Sequence, residues 1–217
     1  MPRRRPAVLL CGQARATLAA IARELARTGA PLVIQAAADS AAARRGRDAG
    51  AIGTSGATIV RSALGGETES RRLVTAAWRA ARAIDAVVIC PVIAGGGASA
   101  ALPLAEWQNG IDAGLRAPFF VAKHAGLRMQ RGGGGRLILA FDASARSGPV
   151  GEVVRAGLLC MVDALARALP RRVGVMAVVG TGRGAGADIA RGVRLLLDGD
   201  FRGGGVLLEL GLWTRRG

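Results

Sequence analysis

The chain has no tyrosine, one lysine and one histidine, and aromatics make up only 3% of its 217 residues. Without tyrosine, any mechanism that uses a phenol as its proton donor is excluded. Scarce aromatics leave the core to Ala, Val, Leu and Ile, which the 51% hydrophobic content supplies, and leave few platforms for stacking bases. The three cysteines, Cys11, Cys90 and Cys160, are odd in number, widely spaced and set in apolar runs. Neither a disulfide framework nor a metal-ligand spacing is present, so buried free thiols and no metal are expected. No purely apolar run reaches the ~18 residues of a membrane span. The basic start Met1 to Pro6 precedes an apolar run of only Ala7 to Cys11, too short for a secretory core, which makes a cytoplasmic protein the expectation. His124, beside Lys123, has no nucleophile or carboxylate at triad-like placement in sequence and reads as a surface or interface histidine.

Basic charge is plentiful. The formal net charge is +15, from 30 basic and 15 acidic residues. Lys123 is the only lysine, so nearly all of this charge is arginine, scattered as doublets (Arg44-Arg45, Arg71-Arg72, Arg171-Arg172, Arg215-Arg216). Such a surplus attracts acidic partners, and it also arises from compositional bias alone. Nucleic acid is the less favoured partner, because the arginines form no single stripe and stacking aromatics are few.

Along the chain, short apolar runs alternate with segments of helical spacing. Strands are predicted over 7–11, 31–35, 57–62, 85–91, 136–141, 173–179 and 205–210. Helices are predicted over 16–27, 40–48, 67–83, 106–131, 153–169 and 187–197, with a Gly/Ala/Ser-rich loop over 94–101. Continuously apolar strands must be covered on both faces, the mark of a parallel sheet. Strand-helix alternation then predicts one Rossmann-type α/β domain over residues 1–217: a doubly wound, mostly parallel sheet of about seven strands with helices on both faces.

Ala7 to Ala30, Ile84 to Val92, Trp107 to Met129, Gly135 to Leu139, Asp163 to Leu169 and Asp188 to Leu210 together resemble the short-chain dehydrogenase/reductase family in order and spacing. Gly12-Gln13-Ala14-Arg15 and Phe141-Asp142-Ala143 are most similar to its pteridine-reductase-like members. The resemblance implies an NAD(P) cofactor held by Gly12, Gln13, Arg15, Thr17, Cys90 and Pro91. In the family a Gly-x-x-x-Gly-x-Gly turn lets the backbone approach the pyrophosphate. Here Gly12 is kept, while Ala16 and Leu18 replace the other two glycines. Leu18 puts a branched side chain where the helix packs closely or the phosphates sit. The acidic residue after the third strand falls near Ala63, and the Asn-Asn-Ala-Gly segment reads Ile89-Cys90-Pro91-Val92. The expectation is therefore no NADP(H) or NAD(H), or one weakly bound.

The family's tyrosine and lysine fall on Gly151 and Arg155, its helper asparagine near Gly114, and its serine on Asp142. Arginine stays charged and cannot replace the lysine as a proton relay. No catalytic set is intact, and Asp142 is the only candidate, with a plain strand-end aspartate as the alternative. The family's substrate loop after the sixth strand is shortened to residues 180–186, a Gly-rich link that reads as a bare turn or an anion-binding nest. Three readings result: a non-catalytic scaffold or subunit, an NAD(P)H-dependent reductase with an atypical site, or a basic module for an acidic partner. The resemblance also implies a homodimer or complex through helices 107–131 and 153–169, whose small residues Ala113, Gly114, Ala117, Ala156 and Gly157 permit close packing.

Overall fold

The structure, a computed structural model, describes residues 5–37, 56–81, 83–93, 102–143, 148–199 and 205–211. The elements run β1 (Val8–Gly12), α1 (Arg15–Arg27), β2 (Leu32–Ala36), β3 (Thr58–Arg61), α2 (Glu67–Ala81), β4 (Ala86–Cys90) and α3 (Leu104–Ile111). A π-helical turn (Asp112–Arg116) follows, then α4 (Ala117–Arg131), β5 (Gly135–Asp142), α5 (Pro149–Ala168), β6 (Val173–Thr181), α6 (Ala185–Asp198) and β7 (Val206–Gly211). The seven described strands form one sheet in the order β3-β2-β1-β4-β5-β6-β7, and every pair is parallel. Strand order reverses between β1 and β4. Outside their carboxyl ends lies the crevice where sheets of this kind hold ligands.

The core has two halves because successive strand residues face opposite sides. Leu9, Cys11, Val87 and Ile89 join residues of α2, α4 and α5 on one face. Val8, Leu10, Ala86, Val88 and Cys90 join those of α1 and α6 on the other. All five residues of β1 are therefore buried. Each large side chain so enclosed contributes about 1.5–3 kcal/mol. The edge strands differ: both ends of β3 are exposed, and in β7 exposed Leu207 and Glu209 alternate with half-buried neighbours.

Predicted and observed elements agree in type, with informative shifts at their ends. α5 begins at Pro149, four residues before the predicted start, so Gly151 lies inside the helix. Pro149 has no N–H to leave unsatisfied, and its fixed φ suits a first helical turn. The long helix starts at Leu104 and carries the π-helical turn within it. The helix of 67–83 ends at Ala81. The helix predicted over 40–48 and the loop over 94–101 lie outside the described residues.

Tertiary contacts also finish the helices. Arg136 on β5 donates from Nη1 to Leu197 O and from Nη2 to Gly199 O, each at 2.7 Å. A cation thus meets the open carbonyls and negative dipole end of α6.

Candidate functional site

The site grows from the turn between β1 and α1. Gly12 has φ +138°, and a Cβ there would lie 2.1 Å from Cys90 O, so only glycine lets β1 pass this close to β4. The chain then folds over the end of β4, with Gln13 N and Ala14 N both donating to Cys90 O at 3.1 and 3.2 Å. Gly12 N donates to Gln35 Oε1 at 3.4 Å. Gln35 is buried; its Nε2 donates to Ser62 O at 2.7 Å, and Arg15 Nη1 donates to its carbonyl at 3.4 Å. The turn's own N–H groups are thus taken up by protein acceptors. Arg15 and the first-turn N–H groups of α1, which Ala14 does not cap with a side chain, are what remains for an anion.

Gln13 is exposed and reaches Leu64 O at 3.4 Å. Thr17 and Leu18 are buried in α1. Leu18 belongs to the core cluster of Ile21, Ala22 and Leu25, so it packs the helix on the sheet and sets the spacing between them. Cys90 contributes its carbonyl to the turn, while burial pushes its thiol up to about 12. Burial and the neighbouring Cys90 hold the Cys11 thiol well above the usual range as well. Both are neutral and poor nucleophiles, and they belong to core clusters on opposite faces of the sheet. Cys160 departs from the expected burial: it is exposed on α5, because its apolar neighbours belong to other faces of that helix. Cys11, Gly12, Gln13 and buried Pro91 meet Leu64, Ala113, Ala117 and Val121 around a partly open space of ≈ 10 Å³, about the size of one water.

The residues that the resemblance aligns with the family's proton-transfer positions sit on β5, the π-helical turn and α5. Asp142 ends β5 beside Gly180 and is half-buried. Gly114 is buried in the π-helical turn, where a Cβ would lie 2.5 and 2.8 Å from the two Val154 methyls and 3.0 Å from Val92 O. A helper side chain has no room there. Gly151 is buried in α5. One turn on, Arg155 donates to Glu152 Oε2 from Nη2 at 2.9 Å and from Nε at 3.2 Å, an exposed pair within one helix that contributes little. Gly157 meets Leu115, whose methyls would lie 2.9 Å from an added Cβ. The smallness of 114 and 157 therefore lets α5 pack on the π-helical turn within the chain. The β6–α6 link reduces to Gly182 to Gly184, closed by Ala185 N donating to Gly182 O at 3.3 Å.

His124 meets a carboxylate that sequence spacing did not reveal, since Glu67 comes from α2. Its Nε2 lies 3.5 Å from Glu67 Oε1 and makes no hydrogen bond; that oxygen accepts from Lys123 Nζ at 2.7 Å. Burial lowers the imidazole pKa, partly offset by Glu67. The Lys123 hydrogen bond lowers that of Glu67. Among the described residues no nucleophile completes a catalytic set there. Gln35 was the functional-looking residue missed in sequence. Its signal was one polar side chain closing an apolar run, and its link to Gly12 exists only once β1 and β2 pair.

A family model described as enoyl-(acyl carrier protein) reductase matches residues 14–181. The chain belongs to the short-chain dehydrogenase/reductase family. Its fold is that of several solved structures. A short-chain dehydrogenase/reductase from Serratia marcescens is 21% identical, with 97% of this chain and 98% of that one covered and a TM-score of 0.76. An NADH-dependent reductase, A1-R′, solved with NAD is 18% identical, with 96% of each chain covered and a TM-score of 0.78. ElxO with NADP bound is 12% identical, with 96% and 98% covered and a TM-score of 0.80. A search of curated proteins finds no significant match. Among the described residues of this short-chain dehydrogenase/reductase, those that fit a dinucleotide lie where its phosphates would sit. Arg15 and the N-terminus of α1 could meet them, whereas Ala63, Cys90 and Pro91 bring no side-chain donor to the rest. Among the described residues no group of three or more His, Cys, Asp or Glu could hold a metal, and no helix is long and apolar enough to cross a membrane.

Proposed function

We propose that this short-chain dehydrogenase/reductase is a non-catalytic member of its family, serving as a scaffold or subunit. One observation carries the reading: where the family resemblance puts the proton-transferring pair, the chain has Gly151, without a functional group, and Arg155, which is paired with Glu152. A glycine moves no proton, and a guanidinium stays charged at any working pH. The closed turn over Cys90 and the absence of a helper side chain at Gly114 support it. Dinucleotide binding is absent or weak, and a cytoplasmic setting suits the reduced, buried Cys11 and Cys90. The chain acts as a homodimer or a subunit of a complex, through the outer faces of α4 and α5, where Phe119, Leu127 and Val153 are exposed.

A second reading, an NAD(P)H-dependent reductase with an atypical site, is favoured by retained Gly12, by Asp142 at the carboxyl end of β5, and by structural neighbours solved with NAD and NADP. Pteridine-like substrates belong to this reading, through Asp142. Calorimetric titration with NADPH and NADH separates the two. The first expects no saturable binding in the micromolar range. Saturable binding, with reductase turnover that disappears in Asp142→Ala, would establish the second.

A further inference from the structure

Five arginines converge at the opposite edge of the sheet from the dinucleotide turn. In a parallel sheet the helices end where the next strand begins, so the C-termini of α2 and α4 and the α5–β6 loop share the strands' amino edge. Arg79 lies in the last turn of α2, Arg128 and Arg131 in that of α4, and Arg171 and Arg172 in the loop before β6. All five are exposed. Arg128 stands 5.9 Å over the Trp78 ring, which joins α2 to α4. Arg172 Nη2 donates to Gln130 O at 3.0 Å, and Gly135 N donates to Arg172 O at 3.1 Å, which joins the loop to the end of α4.

Among the described residues, none of the five is ion-paired with a carboxylate. Acids elsewhere are engaged: Glu24 with Arg27 and Arg194, Glu67 with Lys123, Asp163 with Arg167, Asp188 with Arg191. Asp85, near this edge, accepts from Ala7 N at 2.7 Å. Basic side chains favour helix C-termini, but each terminus carries only about half a negative charge. The carbonyls at the end of α4 are already capped by the N–H groups of Gly132 and Gly134. Two half-charges therefore leave most of five positive charges uncompensated.

We propose that this arginine face docks a carboxylate-rich segment of an acidic protein partner. Planar guanidinium groups on three chain segments match several carboxylates bidentately. Nucleic acid is disfavoured, because Trp78, the aromatic at hand, is half-buried beneath Arg128 and offers no free ring for a base. The face is remote from the cleft, so docking is independent of whether the chain turns over.

The test is fluorescence anisotropy with a labelled oligoglutamate peptide at low and physiological salt, with a single-stranded oligonucleotide and anionic vesicles in parallel. Wild type is expected to bind the peptide, more weakly as salt rises. R171E/R172E should lose about tenfold or more in affinity, since two attractions become repulsions. A second pair, R79E/R131E, should lose as much; neither side chain makes a described hydrogen bond, so folding, checked by circular dichroism, is unaffected. R23E/R191E changes net charge equally at exposed sites elsewhere and should stay within about twofold of wild type. Equal losses in all three variants would reduce the effect to net charge and overturn the proposal. So would failure to bind the peptide, or binding of the oligonucleotide or vesicles in preference to it.

Discussion

Restoring the family's helper asparagine at residue 114 should destabilise the chain. An ideal Cβ at Gly114 falls 2.5 and 2.8 Å from the Val154 methyls and 3.0 Å from Val92 O. Val154 is fully buried and its β-branched side chain turns little; the Val92 carbonyl is backbone and cannot rotate away. Overpacking of this kind costs about 1–3 kcal/mol. An asparagine amide enclosed beside Val154 adds about 1–3 kcal/mol if its polar atoms find no partner. Replacing a helical glycine returns less than about 1 kcal/mol, so the loss wins. Gly114→Asn should lower stability by about 2–5 kcal/mol in urea denaturation, with the slope unchanged. At the ~2–4 °C per kcal/mol usual for a chain of this size, Tm falls by about 4–20 °C. Trimming the opposing side chain in Gly114→Asn/Val154→Ala should recover at least ~1 kcal/mol relative to the sum of the single changes. A Gly114→Asn protein within about 0.5 kcal/mol of wild type, with no coupling to Val154, would refute the close approach of α5 to the π-helical turn and reopen this position to a catalytic side chain.

Gly12→Ala combines a φ of +138° with a Cβ 2.1 Å from the Cys90 carbonyl; it should cost more than about 3 kcal/mol and be recovered mainly as insoluble protein, and a soluble variant of native Tm would contradict the strand approach. Because burial holds the His124 pKa below its ordinary value of about 6.5, the unfolded chain protonates first as pH falls. Stability should be complete above that value and decline as pH drops toward the folded pKa. Glu67, held low chiefly by the Lys123 hydrogen bond, loses its share only in the more acid carboxylate range, with Lys123 and Arg71 charged throughout. His124→Leu should flatten the upper part of that decline in urea midpoints measured between about pH 7 and 5; an unchanged slope would count against it. The α4–α5 dimer should appear in analytical ultracentrifugation of wild type and dissociate in Phe119→Asp and Val153→Asp. A wild-type monomer, or variants that stay dimeric, would move the interface elsewhere.

Sequence periodicity located the elements because burial on both sheet faces demands continuous apolar runs, as in Val8 to Cys11 and Ala86 to Cys90. The absence of tyrosine was equally legible, since residue identity does not depend on packing. Ends and neighbours were less so. The start of α5 depended on Pro149, a residue that reads as a loop in isolation. The exposure of Cys160 depended on which face of α5 meets the sheet, and the roles of Gly114 and Gly157 on which helix lies opposite.

Composition and order by themselves determined that this chain is a parallel, doubly wound α/β domain without a tyrosine, because hydrophobic period and residue identity are local properties. The tertiary structure alone decided that the turn's N–H groups belong to Cys90 and Gln35, that Glu67 faces His124, and that arginines nearly a hundred residues apart share one edge. Those facts arise from strand register and helix packing, which bring together groups that no spacing along the chain predicts.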